Sequence, residues 1–249
     1  MYWYASPDGA GAIKHVGSTH ICAYLRHLRL NAFKFDRHPA PIRKAGPAVY
    51  AGAMTTDPEY WNRIYEDEGR PGWDMDGATP LVDELLGLAL PLGLRAGGDL
   101  VVPGCGYGHD AAELEARGFT VTGLDFAPLA IHGAQQRYGD RVSWSQGDWF
   151  TTHLGPWDAI FDHTCFVAMD PGRRPAYVDA CARHLRPGGL WMAALFHDVN
   201  GRPGPPHAIP MADMRALAGT RFDVLHLGAA TGSHPRRAGR EFLMVARKR

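Results

Sequence analysis

The sequence predicts an α/β fold: a mostly parallel seven-stranded sheet with helices on both faces and an antiparallel C-terminal strand. Three observations carry that expectation. Short apolar runs bounded by turn residues alternate with segments of helical period. Prolines stand at the first turn of helical segments. A polar, glycine-rich stretch separates the last two apolar runs, as an antiparallel return needs. Repeated strand–helix–strand order gives parallel pairing, with helices covering both faces of the sheet.

Thr79 ahead of Pro80 starts a helix, a capping hydroxyl before a proline at the first turn. Leu81, Val82, Leu85, Leu86 and Leu88 then recur at helical spacing. Residues 99–102 form a buried strand running into Pro103-Gly104, followed by a helix over 110–117 and a strand over 120–124. A helix over 127–138 has Pro128 in its first turn. Strands at 142–145, 157–161 and 190–196 follow, the last preceded by a helix over 175–185 that Arg186-Pro-Gly-Gly189 breaks. Strands at 222–227 and 241–246 pair with each other.

The pattern begins near Met54, so residues 54–249 make one domain. Residues 1–53 lack periodicity and carry Lys14, Arg26, Arg29, Lys34, Arg37, Arg43 and Lys44 against Asp8 and Asp36. They read as a flexible extension, with Met54 a candidate initiator; a secretory signal fits poorly because no apolar h-region is present.

Composition excludes several function classes. The 26 basic and 26 acidic side chains balance, which removes the electrostatic case for nucleic acid. No apolar run approaches the ~20 residues of a membrane span. The four cysteines have no CxxC pairing and the 13 histidines no HExxH spacing, so no metal site is expected. Free thiols suit the cytoplasm. The expected partner is a small-molecule substrate, and the expected state a monomer.

The first strand feeds Val102-Pro-Gly-Cys-Gly-Tyr-Gly-His109, in which Gly104, Gly106 and Gly108 let a turn fold tightly and a ligand approach bare backbone. Gly104, Cys105 and Gly106 are therefore candidate cofactor contacts. Asp125 ends the second strand about 20 residues beyond the loop glycines, where a carboxylate accepts from ribose hydroxyls. The spacing is GxGxG, not the dinucleotide GxGxxG. Asp110, opening the next helix, repels a phosphate and tolerates a cation. S-adenosyl-L-methionine, a sulfonium nucleoside without phosphate, fits this loop better than a nicotinamide dinucleotide. In Gly147-Asp-Trp-Phe150, Asp148 is placed to accept from the adenine amine, with Trp149 or Phe150 flanking the ring. Asp162 ends the fourth strand beside the expected methionine moiety. His163 reads as a loop histidine, and Cys105 and Cys165 as packing residues without an activating neighbour.

These segments resemble the thiopurine S-methyltransferase family, and most closely its halide/thiol methyltransferase branch. The resemblance covers residues 54–249. It rests on Tyr60-Trp-Asn-Arg-Ile-Tyr65, Gly72-Trp-Asp74, Gly77-Ala-Thr-Pro80, the Val102–Asp110 loop, Gly123-Leu-Asp125 and Gly147-Asp-Trp-Phe150. Phe161-Asp162, Pro171-Gly-Arg-Arg174 and Gly204-Pro-Pro206 continue it. It implies a Rossmann-like class I methyltransferase fold with an N-terminal segment folded over the cofactor. In that segment Trp61, Tyr65 and Trp73 match aromatics that pack near the sulfonium, as cation–π attraction favours. The chain has Tyr65 where the family usually has Trp, and a longer gap to Trp73. Arg174 matches a family arginine near the acceptor, which makes Arg174 and Asp162 the candidate catalytic pair. The Gly204-Pro-Pro-His207 loop is expected over the acceptor pocket.

Methyl transfer from a sulfonium is an in-line displacement, and an anionic nucleophile needs little acid–base help. The expected acceptor is a small soft nucleophile: a thiol, bisulfide, thiocyanate, halide or thiopurine-like aromatic thiol. An amine or metalloid acceptor, a binding protein without turnover, and a nicotinamide oxidoreductase are the alternatives.

Overall fold

Proline occupies the first turn of α1 (Pro58–Glu68), α4 (Pro128–Tyr138) and α6 (Arg174–His184), where its missing N–H breaks no helical bond. These helices belong to a computed structural model that describes residues 57–249. The expected extension, residues 1–53, lies outside the described residues. The other helices are α2 (Leu81–Ala89), α3 (His109–Ala116), α5 (Cys165–Ala168) and α7 (Met211–Ala218). Among the described residues no helix is long and apolar enough to cross a membrane.

Among the described residues seven strands form one sheet: β1 (Asp99–Pro103), β2 (Thr120–Asp125), β3 (Ser143–Gln146), β4 (Trp157–His163), β5 (Leu185–Phe196), β6 (Phe222–Ala229) and β7 (Glu241–Lys248). Their order is β3-β2-β1-β4-β5-β7-β6. The first five pair in parallel, and β7 runs antiparallel between β5 and β6. The expected fold class is therefore the observed one.

Side-chain alternation along the strands sorts the core into two layers. Val101, Ile160, Trp191, Ala193 and Met244 join one apolar cluster with α5, α6 and α7. Leu100, Val102, Phe161, Met192 and Val245 join a second, with α2 and α3. Each fully buried large apolar side chain contributes roughly 1.5–3 kcal/mol of transfer free energy. The central strands are apolar on both faces, which is why they read as continuous runs.

The chain winds from β1 through β2 to β3 on one side and from β4 to β5 on the other. The carboxyl ends of β1 and β4 flank the crevice where this order reverses, the place where open α/β sheets bind ligands.

Several elements depart from expectation, and α1, expected only as a segment folded over the cofactor, is one of them. Residues 186–189 do not end the helix in a free turn. β5 already starts at Leu185, opposite Trp157, and pairing resumes at Ala159↔Leu190 after a bulge that absorbs the extra residues. α5 and α7 lacked a sequence signal: the first has four residues, and the second buries only Met214 and Ala218.

Candidate active site

The loop between β1 and α3 needs its glycines. Gly104 has φ +58°, and a Cβ there would stand 2.9 Å from the Cys165 sulfur across the crevice. Gly106 has φ +54°, and its Cβ would meet the Tyr65 hydroxyl at 3.2 Å. Bare backbone at these positions lets the loop, α5 and α1 converge on one cavity.

Asp125 closes β2 and joins this loop. Its Oδ2 accepts from the Gly106 amide at 2.9 Å, and its Oδ1 from the Ala127 amide at 2.9 Å. Burial pushes its pKa up to about 6, against the opposing pull of the Ala127, Gly106 and Phe126 amides. A carboxylate has about four lone-pair sites, so acceptor capacity remains for ligand hydroxyls. The Asp125 carbonyl accepts from Gly147 N at 2.9 Å, which ties the next acidic loop to the same edge. There Asp148 Oδ1 accepts from Phe150 N at 2.7 Å.

The two aromatics after Asp148 separate. Trp149 is 6% exposed and packs its ring 4.3 Å from His184 and 5.9 Å from Tyr177. Phe150 is half-buried, with the Arg173 guanidinium 3.9 Å from its ring centroid.

α1 supplies the opposite wall. Trp61 and Tyr65 stand one turn apart on one face. Trp73 meets both edge-on, at centroid distances of 5.4 and 5.7 Å. Asn62 anchors the helix by accepting from Leu129 N at 3.3 Å. The three aromatics line a cavity of about 1100 Å³ together with Gly104, Asp125 and Asp148.

A smaller cavity, about 80 Å³, lies between that loop and residues 73–80 and is lined by Cys105, Gly106, Asp110, His163 and Arg237. Asp110 accepts from Thr79 N at 2.7 Å and pairs with His163 Nδ1 at 2.7 Å. Burial alone would raise the Asp110 pKa, but the His163 ring and the Thr79 amide hold it below the usual carboxylate range. Arg237 Nη1 lies 2.6 Å from His163 Nε2. A guanidinium only donates, so the neutral ring carries its proton on Nδ1, facing Asp110; burial opposes a second proton, but the Asp110 carboxylate raises the ring's pKa.

Two expected site residues lie elsewhere. Asp162 is fully buried and lines neither cavity: it accepts from the Tyr177 hydroxyl at 2.9 Å and from Phe166 N at 3.2 Å. Its place is under the wall, where it holds α5. Arg174 is also absent from the cavity lining. Its Nη2 donates to the carbonyls of His207 and Ala208 at 2.7 and 3.3 Å, bracing the loop whose Gly204-Pro-Pro206 does line the large cavity. Arg173 faces the cavity instead. A 3-10 turn over Pro171–Arg173 precedes α6, and the change of helical phase between the two arginines turns them apart. Burial and then the Asp162 carboxylate push the Cys165 thiol well up, so it stays protonated on the cavity wall.

A family model described as thiopurine S-methyltransferase matches residues 56–241. The chain belongs to that family. Thiocyanate methyltransferase 1 of Arabidopsis thaliana is 32% identical over 193 residues, covering 74% of this chain and 82% of the relative. A thiopurine S-methyltransferase of Legionella pneumophila is 28% identical over 170 residues, 60% of this chain and 75% of that protein. Among solved structures, a 1,6-didemethyltoxoflavin-N1-methyltransferase of Burkholderia thailandensis superposes with TM-score 0.61 at 22% identity, over 84% of this chain and 93% of that one. A structure described for the conversion of a disulfide bond into a thioacetal in echinomycin biosynthesis gives TM-score 0.63 at 20% identity, over 76% and 92%. These two superpositions bear on the fold.

As a thiopurine S-methyltransferase family member, the protein is an S-adenosylmethionine-dependent methyltransferase. The residues present fit that cofactor. Asp125 offers a carboxylate beside a cradle that a Gly106 side chain would fill, three aromatic rings line the same cavity, and an acid opens α3 where a phosphate binder leaves the helix N-terminus clear.

Arg237 and the pairing of His163 with Asp110 went unread in the sequence, and of the two arginines after Pro171-Gly172, both expected near the acceptor, the role was given to Arg174. Arg173 had the same signal as its neighbour Arg174. Arg237 lies in the polar connection before β7 and Glu241 opens that strand four residues later, a spacing that carried no expectation of its own.

Proposed function

We propose that the protein transfers a methyl group to a small soft anion, a thiolate, bisulfide, thiocyanate or halide, by in-line displacement. One observation carries this reading. Beyond Asp125 and Asp148, the charged groups on the large cavity's wall are Arg173, Arg202, Arg236, Arg237 and Arg240, and among the described residues that wall holds no histidine or lysine. Glu241 balances Arg237, and the other four arginines attract an anion, while the wall offers no spare base to deprotonate a neutral acceptor. An amine approaching as ammonium is repelled by the same arginines.

S-adenosylmethionine, when bound, supplies an electrophilic methyl on a sulfonium. Asp125 would hold its ribose and Asp148 its adenine amine, with Phe150 as the aromatic flank and Trp149 as the support behind it. Trp61, Tyr65 and Trp73 would face the positive sulfur, and Gly104, Cys105 and Gly106 would offer backbone. Arg173 would draw the acceptor toward reactive distance, about 3–3.5 Å. Arg174 and Asp162 serve indirectly, one through the 204–208 loop and the other through α5.

Incubation with methyl-labelled cofactor and a panel of iodide, thiocyanate, bisulfide, an aromatic thiol and a primary amine tests the reading. Label is expected in the neutral products of the anionic and thiol acceptors: methyl iodide, methyl thiocyanate, methanethiol and the aryl methyl sulfide. Transfer confined to the amine would overturn it.

A further inference from the structure

Between β6 and β7 the chain leaves the sheet, passes the mouth of the cavity and returns. Glu84 of α2 pins the start of this connection, accepting from Thr231 N at 3.1 Å and Gly232 N at 2.8 Å. Near its end Arg237 turns inward and is only 7% exposed. Its Nη2 donates to the Trp73 carbonyl at 3.0 Å, and its Nη1 to Glu241 Oε1 at 3.3 Å and His163 Nε2 at 2.6 Å. The two partners on the sheet are themselves fixed. Glu241 is 1% exposed on β7, and His163 on β4 is held by Asp110, which in turn accepts from Thr79 N. One buried guanidinium thus joins the rigid sheet to the backbone of Trp73, a residue in the irregular segment between α1 and α2. The neighbouring contacts of Arg236, to the Gly72 carbonyl at 3.4 Å and Met75 sulfur at 3.7 Å, are longer and exposed. Charge-assisted bonds out of water hold geometry better than exposed ones.

We infer that Arg237 is a positioning residue that fixes Trp73 against Trp61 and Tyr65, and so sets how strongly the site prefers the positive methyl donor over its neutral product. The inference rests on the proposed placement of these three aromatics around the sulfonium. Cation–π attraction depends on the ring face being held within about 6 Å of the charge. S-adenosylhomocysteine keeps the donor's nucleoside and amino-acid groups but lacks the methyl, and its sulfur is uncharged. The ratio of the two affinities therefore reads the aromatic cage and cancels the nucleoside contacts. The Arg237 charge itself is balanced by Glu241, so its removal acts chiefly through the lost tether.

Calorimetry with S-adenosylmethionine and S-adenosylhomocysteine on wild type, Arg237→Gln, Arg237→Lys and Trp73→Leu tests this. In Arg237→Gln the donor-to-product affinity ratio is expected to fall by about two- to thirtyfold, the span of one cation–π contact. In Arg237→Lys, which keeps the charge but not the forked reach, the fall should be smaller. Should the Gln variant fail to fold, the Lys variant must still show a reduced ratio. Equal weakening of both ligands, or a raised ratio, in an Arg237 variant while Trp73→Leu lowers the ratio would overturn the inference and leave the cage standing. An unchanged ratio in Trp73→Leu would remove the cage and the inference together.

Discussion

Gly106 donates its amide to the Asp125 carboxylate at 2.9 Å, so the loop after β1 and the acid after β2 form one unit. Neither element is aligned for a nucleoside without the other. Replacing Asp125 by Asn keeps the shape and removes the charge. Since hydrogen bonds to a charged group are worth about 1.5–3 kcal/mol, S-adenosylmethionine should bind about 10- to 150-fold more weakly to Asp125→Asn in calorimetry. Equal affinity would detach this acid from the ribose.

The same acid predicts a pH dependence. Its pKa of about 6 lies above the ordinary aspartate value, because burial disfavours the charge. Ribose hydroxyls donate to the ionised form, so binding releases the proton that Asp125 carries at low pH. Donor affinity should rise by up to about tenfold per pH unit below pH 6 and level off above it. In Asp125→Asn the slope should vanish. A slope that survives the substitution would assign the proton to another group.

That unit was legible from the sequence because chain spacing fixes it: two strands of ordinary length separated by one helix put an acid beside the loop. Parity decided what was not legible. Ile160 and Asp162 share one face of β4, under α6, so Asp162 points at Tyr177. His163 takes the opposite face and reaches Asp110. A reading that placed β4 correctly still could not tell which of the two neighbours enters the cleft. Trp149 shows the same limit, since an aromatic beside a site residue fills the core as readily as it flanks a ligand. Arg237 had no local pattern, its partners Trp73 and His163 being distant in the chain.

A cavity wall with arginines and no spare base predicts how transfer responds to pH. With iodide or thiocyanate, kcat should be flat between about pH 6.5 and 9. With two aromatic thiols of different acidity, kcat/KM should inflect at each thiol's own pKa, since the thiolate is the reacting form. An inflection at one fixed pH for both thiols would show that the protein contributes a base.

The two adjacent arginines should separate in mutagenesis. Arg173→Met removes a guanidinium from the cavity wall beside Phe150. KM for a charged aromatic thiol should rise several-fold while donor affinity stays within about twofold. Arg174→Met instead strips the donor from the His207 and Ala208 carbonyls, at a cost of about 1–3 kcal/mol. It should lower Tm by several degrees. A rise in KM from Arg174→Met with unchanged Tm would return that residue to the acceptor.

Tyr177 and Asp162 give a stability prediction whose sign depends on pH. Burial pushes Asp162 up to about 6, opposed by the Tyr177 hydroxyl and the Phe166 amide. With a folded pKa above the unfolded value of about 3.9, the native state binds the extra proton between about pH 4 and 6. Keeping Asp162 ionised therefore costs stability as pH rises through that window, and the cost is complete above it. The Tyr177 hydroxyl reduces that cost by donating to the carboxylate at 2.9 Å. Tyr177→Phe withdraws the donor, moves the Asp162 pKa further up and strands a buried charge at neutral pH. Thermal unfolding should show a loss of about 1–3 kcal/mol at pH 7.5 and a smaller loss at pH 5, where the acid is largely protonated in either protein. Equal losses at both pH values would mean that the hydroxyl's contribution does not depend on the Asp162 charge, and no loss at either would leave the ring's packing, and not its bond to Asp162, to hold α5 against the cavity.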